Sequence, residues 1–224
     1  EDRTATSIVG ATAIHLGLLD APFRRAIGET FRELILTELH DNDADASDVA
    51  DALLDRIARI APDTLFFPLG VGNHVDHRIV HRAHTRFSGD VRFYEDRPYS
   101  LVRHSVHART AALGATIDGL LAEPSPRMVD EYLADAAHAP YVRAFLPLED
   151  RSSCLSALAA TLSKPNGPSG LHLRSQRFAF NNDTFDVSSR AIGAYASQLT
   201  NLFGHDRSLG NFAYEECIYF RSVM

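Results

Sequence analysis

The apolar run Leu65-Phe66-Phe67-Pro68-Leu69 passes through Gly70-Val71-Gly72-Asn73 and ends on His74-Val75-Asp76-His77, and no other stretch constrains the fold as strongly. An apolar run closed by glycines reads as a buried strand. The segment that follows, Arg78-Ile79-Val80-His81-Arg82-Ala83-His84, has helical character, and Gly89 ends it before a second apolar strand with a polar end, residues 91–96. Strand, helix and strand in this order make a crossover unit, which places its strands parallel and its ligand-binding loops at their carboxyl ends. The fold class that follows is α/β, a Rossmann-like, mostly parallel sheet flanked by helices, with a helical insertion in the C-terminal half.

Composition fits this reading. The 224 residues are 45% hydrophobic, enough to bury one core, so residues 1–224 are expected to form one domain. The formal net charge is -7 and the basic residues are scattered singly, which leaves no stripe to follow a phosphate backbone and excludes nucleic acid as a partner. No apolar window is long enough for a membrane span. Cys154 and Cys217 are too few for a disulfide framework, and a cytoplasmic location is expected. The sequon at Asn182 is of a kind that arises by chance in a chain of this size.

Along the rest of the chain, the pattern predicts a helix tail over 1–10, a short strand over 11–19 ending at Asp20, and a helix over 23–39. A polar connector over 40–46 leads to a helix capped by Ser47 and stopped by Pro62. Helices are expected over 105–121, 128–138 and 152–162, then a Pro/Gly-rich loop over 165–170. A strand over 176–181, a helix over 187–203 and a final apolar run over 217–220 complete the reading.

Three polar strand ends, Asp20, His74 and Asp96, fall on one rim in this scheme. His74 and His77 flank a carboxylate directly after a strand and a glycine loop, where imidazoles serve as ligands or acid/base groups. His81 and His84 read as partly exposed helix residues. Glu95 and Asp96 read as a solvated turn before Pro98. Gly70-Val71-Gly72 has Val75 where a dinucleotide loop needs its third glycine, and no nucleophile elbow is present, so a Rossmann cofactor and a serine hydrolase are both set aside.

These residues resemble the PIG-L/LmbE-like deacetylases, zinc-dependent enzymes that remove an N-acetyl group from amino sugars. His74-Val75-Asp76-His77 is similar to the family's second motif, His-Pro-Asp-His, with Val75 in place of proline. Glu1-Asp2-Arg3-Thr4-Ala5 resembles its E-D-x-x-A helix, and Ile14-His15-Leu16-Gly17-Leu18-Leu19-Asp20 the strand bearing a substrate-facing aspartate. Phe93-Tyr94-Glu95-Asp96-Arg97-Pro98-Tyr99 and Tyr195-Ala196-Ser197-Gln198 resemble two later segments, so the matches span nearly the whole chain in order.

The resemblance implies that His77 binds Zn2+, that His74 stabilises the oxyanion or protonates the departing amine, that Asp76 tunes His74, and that Asp20 receives sugar hydroxyls. The expected substrate is an amino sugar or glycoconjugate. The family's first motif, His-Pro-Asp-Asp-Glu, which supplies the other zinc ligands and the general base, is found nowhere in the 224 residues. It is expected upstream of Glu1, on a missing N-terminal segment of the same polypeptide, and the fragment alone is expected to be inactive because catalytic zinc needs three protein ligands. Two alternatives stand beside this. One is a deacetylase-like domain that binds a glycan or partner without catalysis; the other is a different metal hydrolase using His77, His81 and Asp96.

Overall fold

The computed structural model describes residues 1–23, 31–36, 44–121, 123, 125–162, 170–203 and 215–221. The elements in chain order are α1 (Asp2–Ile8), α2 (Phe31–Leu36), α3 (Ala44–Ile60), β1 (Thr64–Pro68), α4 (Val75–Ala83), β2 (Asp90–Tyr94) and α5 (Ser105–Ala112). They are followed by β3 (Thr116–Ile117), β4 (Leu120–Leu121), α6 (Pro126–Ala136), α7 (Pro140–Phe145), α8 (Leu148–Leu162), β5 (His172–Ala179), α9 (Asn182–Gly193), α10 (Ala196–Phe203) and β6 (Glu215–Arg221).

The crossover read from the sequence is present. β1 and β2 pair in parallel with Phe67 opposite Phe93, and α4 connects them. The sheet order is β1-β2-β6-β5-β3-β4. β1, β2, β5 and β3 run in one direction, while β6 and β4 oppose them. Period-two alternation sets what each face does. Phe67, Val91 and Phe93 are buried on the inner face, whereas Phe66 on the other is half exposed and Arg92 lies over the Phe66 and Phe220 rings.

The inner face packs into one core with Ala108 of α5, Tyr132 and Ala136 of α6, Tyr141 and Val142 of α7, and Cys154, Leu155 and Leu158 of α8. The helical insertion is therefore the lid of this core. A smaller cluster, Ala21, Leu34, Val75 and Ile79, pins the start of α4 to the preceding segment. At the chain's two ends, the Glu1 carboxylate accepts from the Ser197 amide at 2.9 Å and the Ser197 hydroxyl at 2.6 Å, serving as a cap for α10 supplied from afar.

Several predicted boundaries differ. Residues 11–19 form no strand: the segment is irregular and exposes Ile14, Leu16, Leu18 and Leu19, because no strand among the described residues lies beside it to complete its backbone hydrogen bonds. The helix expected over 105–121 ends at Ala112, and the chain turns through Gly114 into the β3–β4 hairpin, whose two-residue turn is Asp118-Gly119 with both φ positive. The helix expected over 187–203 is two helices separated at Ala194 and Tyr195. The strand placed at 176–181 is β5, starting at His172. Ser47 lies inside α3, which begins at Ala44. Of the helix expected over 23–39, only Phe31–Leu36 is described as such; 24–30, 37–43 and most of the 165–170 loop lie outside the described residues.

Candidate active site

The site begins where β1 ends. Leu69 N donates to Tyr94 O at 2.9 Å, extending the β1–β2 ladder, and the chain then bends through Gly70, Gly72 and Asn73, all at positive φ. Gly72 is required twice over: its φ is +81°, and a Cβ there would lie 2.3 Å from Cγ of Tyr99. Asn73 is buried and its side-chain amide donates to the Ile35 carbonyl, so the turn is tied to α2 before it delivers His74 as the N-cap of α4.

His77 lies on the first turn of α4. Its Nδ1 stands 2.8 Å from Oδ1 of Asp96, out of line for an ideal hydrogen bond, and its side chain keeps 34% of its surface exposed while that of Asp96 keeps 1%. Asp96 is held from behind, because its Oδ2 accepts from the backbone N–H groups of Gly70 at 2.7 Å and Val71 at 2.8 Å. A buried carboxylate that faces one ring nitrogen leaves the other, Nε2, as the nitrogen available to a ligand.

Beneath this turn lies Arg109 of α5. Its Nε donates to Leu69 O at 3.0 Å, and a Cβ on Gly70 would sit 2.8 Å from one of its terminal nitrogens. Burial and then the neighbouring Arg78 pull the guanidinium down to about 10, with Asp96 acting in the opposite direction, so it remains a cation at neutral pH. Tyr99 closes the other side. Its ring meets His77 edge-on at 5.6 Å between centroids, and burial followed by the charge of Asp96 pushes its hydroxyl up to about 12, which keeps it neutral.

His74 is beside His77, with ring centroids 5.4 Å apart. Its Nδ1 accepts from Asp76 N at 3.3 Å, an arrangement in which a neutral imidazole carries its proton on Nε2. The Asp76 carboxylate reaches back and accepts from Ala21 N at 3.1 Å, the same N–H that also bonds Asp20 Oδ1 at 3.0 Å. Asp20 and Asp76 are thus adjacent. Partial burial, followed by the hydrogen bond and charge of Asp76, holds the Asp20 carboxyl above its ordinary range, while His74 acts the other way.

His74, Asp76, His77 and Asp20 therefore lie along one edge, at the start of α4 and in the segment pinned to it. Asp96 joins them and is not solvated: it is 2% exposed, because the Gly70–Val71 amides replace its water. His81 and His84 are also buried, contrary to the exposed-helix reading. The His81 Nδ1–H donates to Pro68 O at 2.9 Å, and both rings pack on Phe93. The set His77, His81 and Asp96 does not converge, and among the described residues no three His, Cys, Asp or Glu side chains are grouped to hold a metal. Arg109 and the Tyr99 ring were missed by the sequence reading; nothing in the local pattern around Arg109 marks it as buried, whereas Asp96 had the signal of a polar residue just beyond an apolar strand.

No protein-family profile and no curated protein matches the chain. Solved structures do. The chain is similar to the A40926 pseudoaglycone deacetylase, with TM-score 0.52 and 16% identity over 99% of this chain and 69% of that one. It is also similar to a deacetylase of the teicoplanin biosynthesis pathway, with TM-score 0.52 and 18% identity over 97% and 70% of the two chains. A third is the zinc-inhibited form of teicoplanin deacetylase, with TM-score 0.53 and 15% identity over 98% and 71%. At these identities the likeness establishes a shared fold.

Proposed function

We propose that this chain carries part of the active site of a metal-dependent N-deacetylase acting on an N-acetylated amino sugar or glycoconjugate. The observation that carries the reading is the buried Asp96 carboxylate against His77 Nδ1, anchored by two backbone amides. A histidine oriented in this way by a carboxylate is the arrangement used for metal ligation. The three structural neighbours named above are all deacetylases, which supports a hydrolytic deacetylase; one of them is a zinc-inhibited form, so a metal ion can reach that protein, while the metal reading for this chain rests on the geometry of His77.

In this reading His77 Nε2 is one ligand of a Zn2+ ion, and the donors that complete the set come from outside the described residues. A bound zinc ion supplies Lewis acidity towards water and towards the acetamide carbonyl. The chain's own residues do the rest. Asp96 fixes the His77 ring, and Arg109 fixes the turn that presents Asp96. His74 presents its Nε2–H, from which it donates a hydrogen bond to the developing oxyanion; protonating the departing amine instead would require a second proton on the ring, at Nδ1. The adjacent carboxyl groups of Asp20 and Asp76 offer acceptors to sugar hydroxyls. The family resemblance assigns the general base to an aspartate of the first motif, which these 224 residues lack.

A second reading, a glycan-binding domain without catalysis, is favoured by the missing three-donor group among the described residues. Acetate release from N-acetylglucosamine conjugates by the full-length gene product separates the two. The deacetylase reading expects release that is abolished in His74→Ala; glycan binding without release in the zinc-loaded protein would support the other.

A further inference from the structure

The contact between His77 and Asp96 fixes a distance and leaves an angle open. Nδ1 and Oδ1 are 2.8 Å apart but out of line, and 34% of the His77 side chain stays exposed, so the carboxylate alone does not hold the plane of the imidazole. A histidine ring turns about a broad, roughly two-fold torsion, and a second wall is needed to stop it. His74 does not supply one, because its ring lies 5.4 Å away, tilted by 46°, and is itself half-buried.

Tyr99 has what such a wall requires. Its ring stands at 82° to that of His77 with the centroids 5.6 Å apart, an edge-to-face contact of the favourable kind. The tyrosine is 9% exposed and is held on two further sides. A Cβ on Gly72 would lie 2.3 Å from its Cγ and 2.4 Å from its Cδ1, so the ring rests directly on glycine backbone, and Tyr141 of α7 meets it edge-on at 4.8 Å. The backbone is tied as well: Ser100 N donates to Asp96 O at 2.9 Å, and Val102 N to Tyr99 O at 3.2 Å. Asp96 and Tyr99 are three residues apart on this closed turn, so one piece of chain presents both the carboxylate and the ring to His77.

We propose that Tyr99 is a positioning residue for His77: its ring, braced by Gly72 and Tyr141, blocks rotation of the imidazole, while Asp96 selects the nitrogen that carries the proton. The proposal rests on the deacetylase reading for the use made of the aimed Nε2, and on the geometry alone for the clamp itself. The ring does this work and the hydroxyl does not, so phenylalanine can serve in its place. The helical insertion thereby gains a second task, since Tyr141 backs the site as well as closing the core.

The test is the tautomer of His77, read from long-range proton–nitrogen NMR spectra of the full-length protein at about pH 8.5, above the ordinary histidine range. Zinc is first removed by dialysis against a chelator, so that no metal dictates the tautomer. The wild type and Tyr99→Phe should each show one His77 tautomer, with the proton on Nδ1. Tyr99→Leu keeps an apolar side chain but withdraws the ring, and should lose that single state, its Nδ1 and Nε2 shifts moving towards each other while the circular dichroism spectrum is unchanged. A folded Tyr99→Leu that retains the wild-type tautomer, or a Tyr99→Phe that loses it, overturns the proposal. A measurement on the wild type as purified needs no variant: a nuclear Overhauser effect between the ring protons of His77 and Tyr99 is expected, and its absence also overturns the clamp. Acetate release and zinc content bear on the deacetylase reading alone and enter neither measurement, so each claim can fail without the other.

Discussion

Gly72 and Tyr99 occupy space that only a glycine allows: a Cβ at Gly72 would lie 2.3 Å from Cγ and 2.6 Å from Cβ of the tyrosine. Because those atoms sit at the root of the side chain, the ring cannot swing aside without leaving His77 and Tyr141. Gly72→Ala is therefore expected to cost about 2–4 kcal/mol, from left-handed backbone strain together with overpacking. Urea unfolding monitored by circular dichroism checks this, and a loss below about 0.5 kcal/mol would show that the turn relaxes freely.

Asp96→Asn separates orientation from folding. The amide oxygen can still accept from Gly70 and Val71, but the NH2 then faces His77 Nδ1 and forces the ring's proton onto Nε2. Zinc affinity of the full-length protein is expected to fall roughly 10- to 100-fold while the fold is retained. Isothermal titration with zinc, alongside a circular dichroism spectrum, measures both parts. Unchanged affinity would mean that Asp96 has no part in presenting His77.

Buried neutral histidines give the fold an acid-sensitive side. Burial holds His81 well below 6.5, aided by Arg109 and then His84, and burial likewise lowers His84. In the unfolded chain both take up a proton near the ordinary histidine value, so the unfolded state binds more protons and stability falls as pH drops below about 6.5. Asp20, held above its ordinary value, has the opposite sign: the folded state binds its proton more tightly, so its contribution falls as pH rises. Urea midpoints at intervals between pH 7.5 and 5 should decline, and His81→Leu should decline less steeply over the same interval. A midpoint independent of pH there would place these rings in water.

Arg109→Met removes a buried cation that supports the Leu69 carbonyl and faces Asp96. The carbonyl and the carboxylate are both left without that partner, and a loss of about 3–5 kcal/mol is expected. Arg109→Lys keeps the charge and should recover part of it. Thermal unfolding of the two variants, compared with the wild type, checks the ordering.

The crossover and the histidine motif were legible because both depend on short-range pattern: an apolar run, positive-φ residues at its end, and a helix starting where His74 caps it. Register then did the rest, since pairing Pro68 with Tyr94 puts Asp96 beside the Gly70 turn. What was not legible depended on long-range partners. The polar look of Glu95-Asp96 suggested solvent, yet two amides 25 and 26 residues away take the place of water. His81 and His84 looked like surface residues because a histidine's burial is decided by whether a carbonyl such as Pro68 O is in reach. The β3–β4 hairpin is different, since its Asp118-Gly119 turn was in plain view, and helical periodicity upstream overrode it.

His77, turned by Asp96, is proposed as a ligand of a zinc ion in a deacetylase site. Zinc content of the full-length gene product, measured by elemental analysis on the purified wild type and His77→Ala, tests it most directly. One zinc per chain is expected in the wild type, close to none in His77→Ala, and a folded protein in both cases. A full complement of zinc in folded His77→Ala would contradict it.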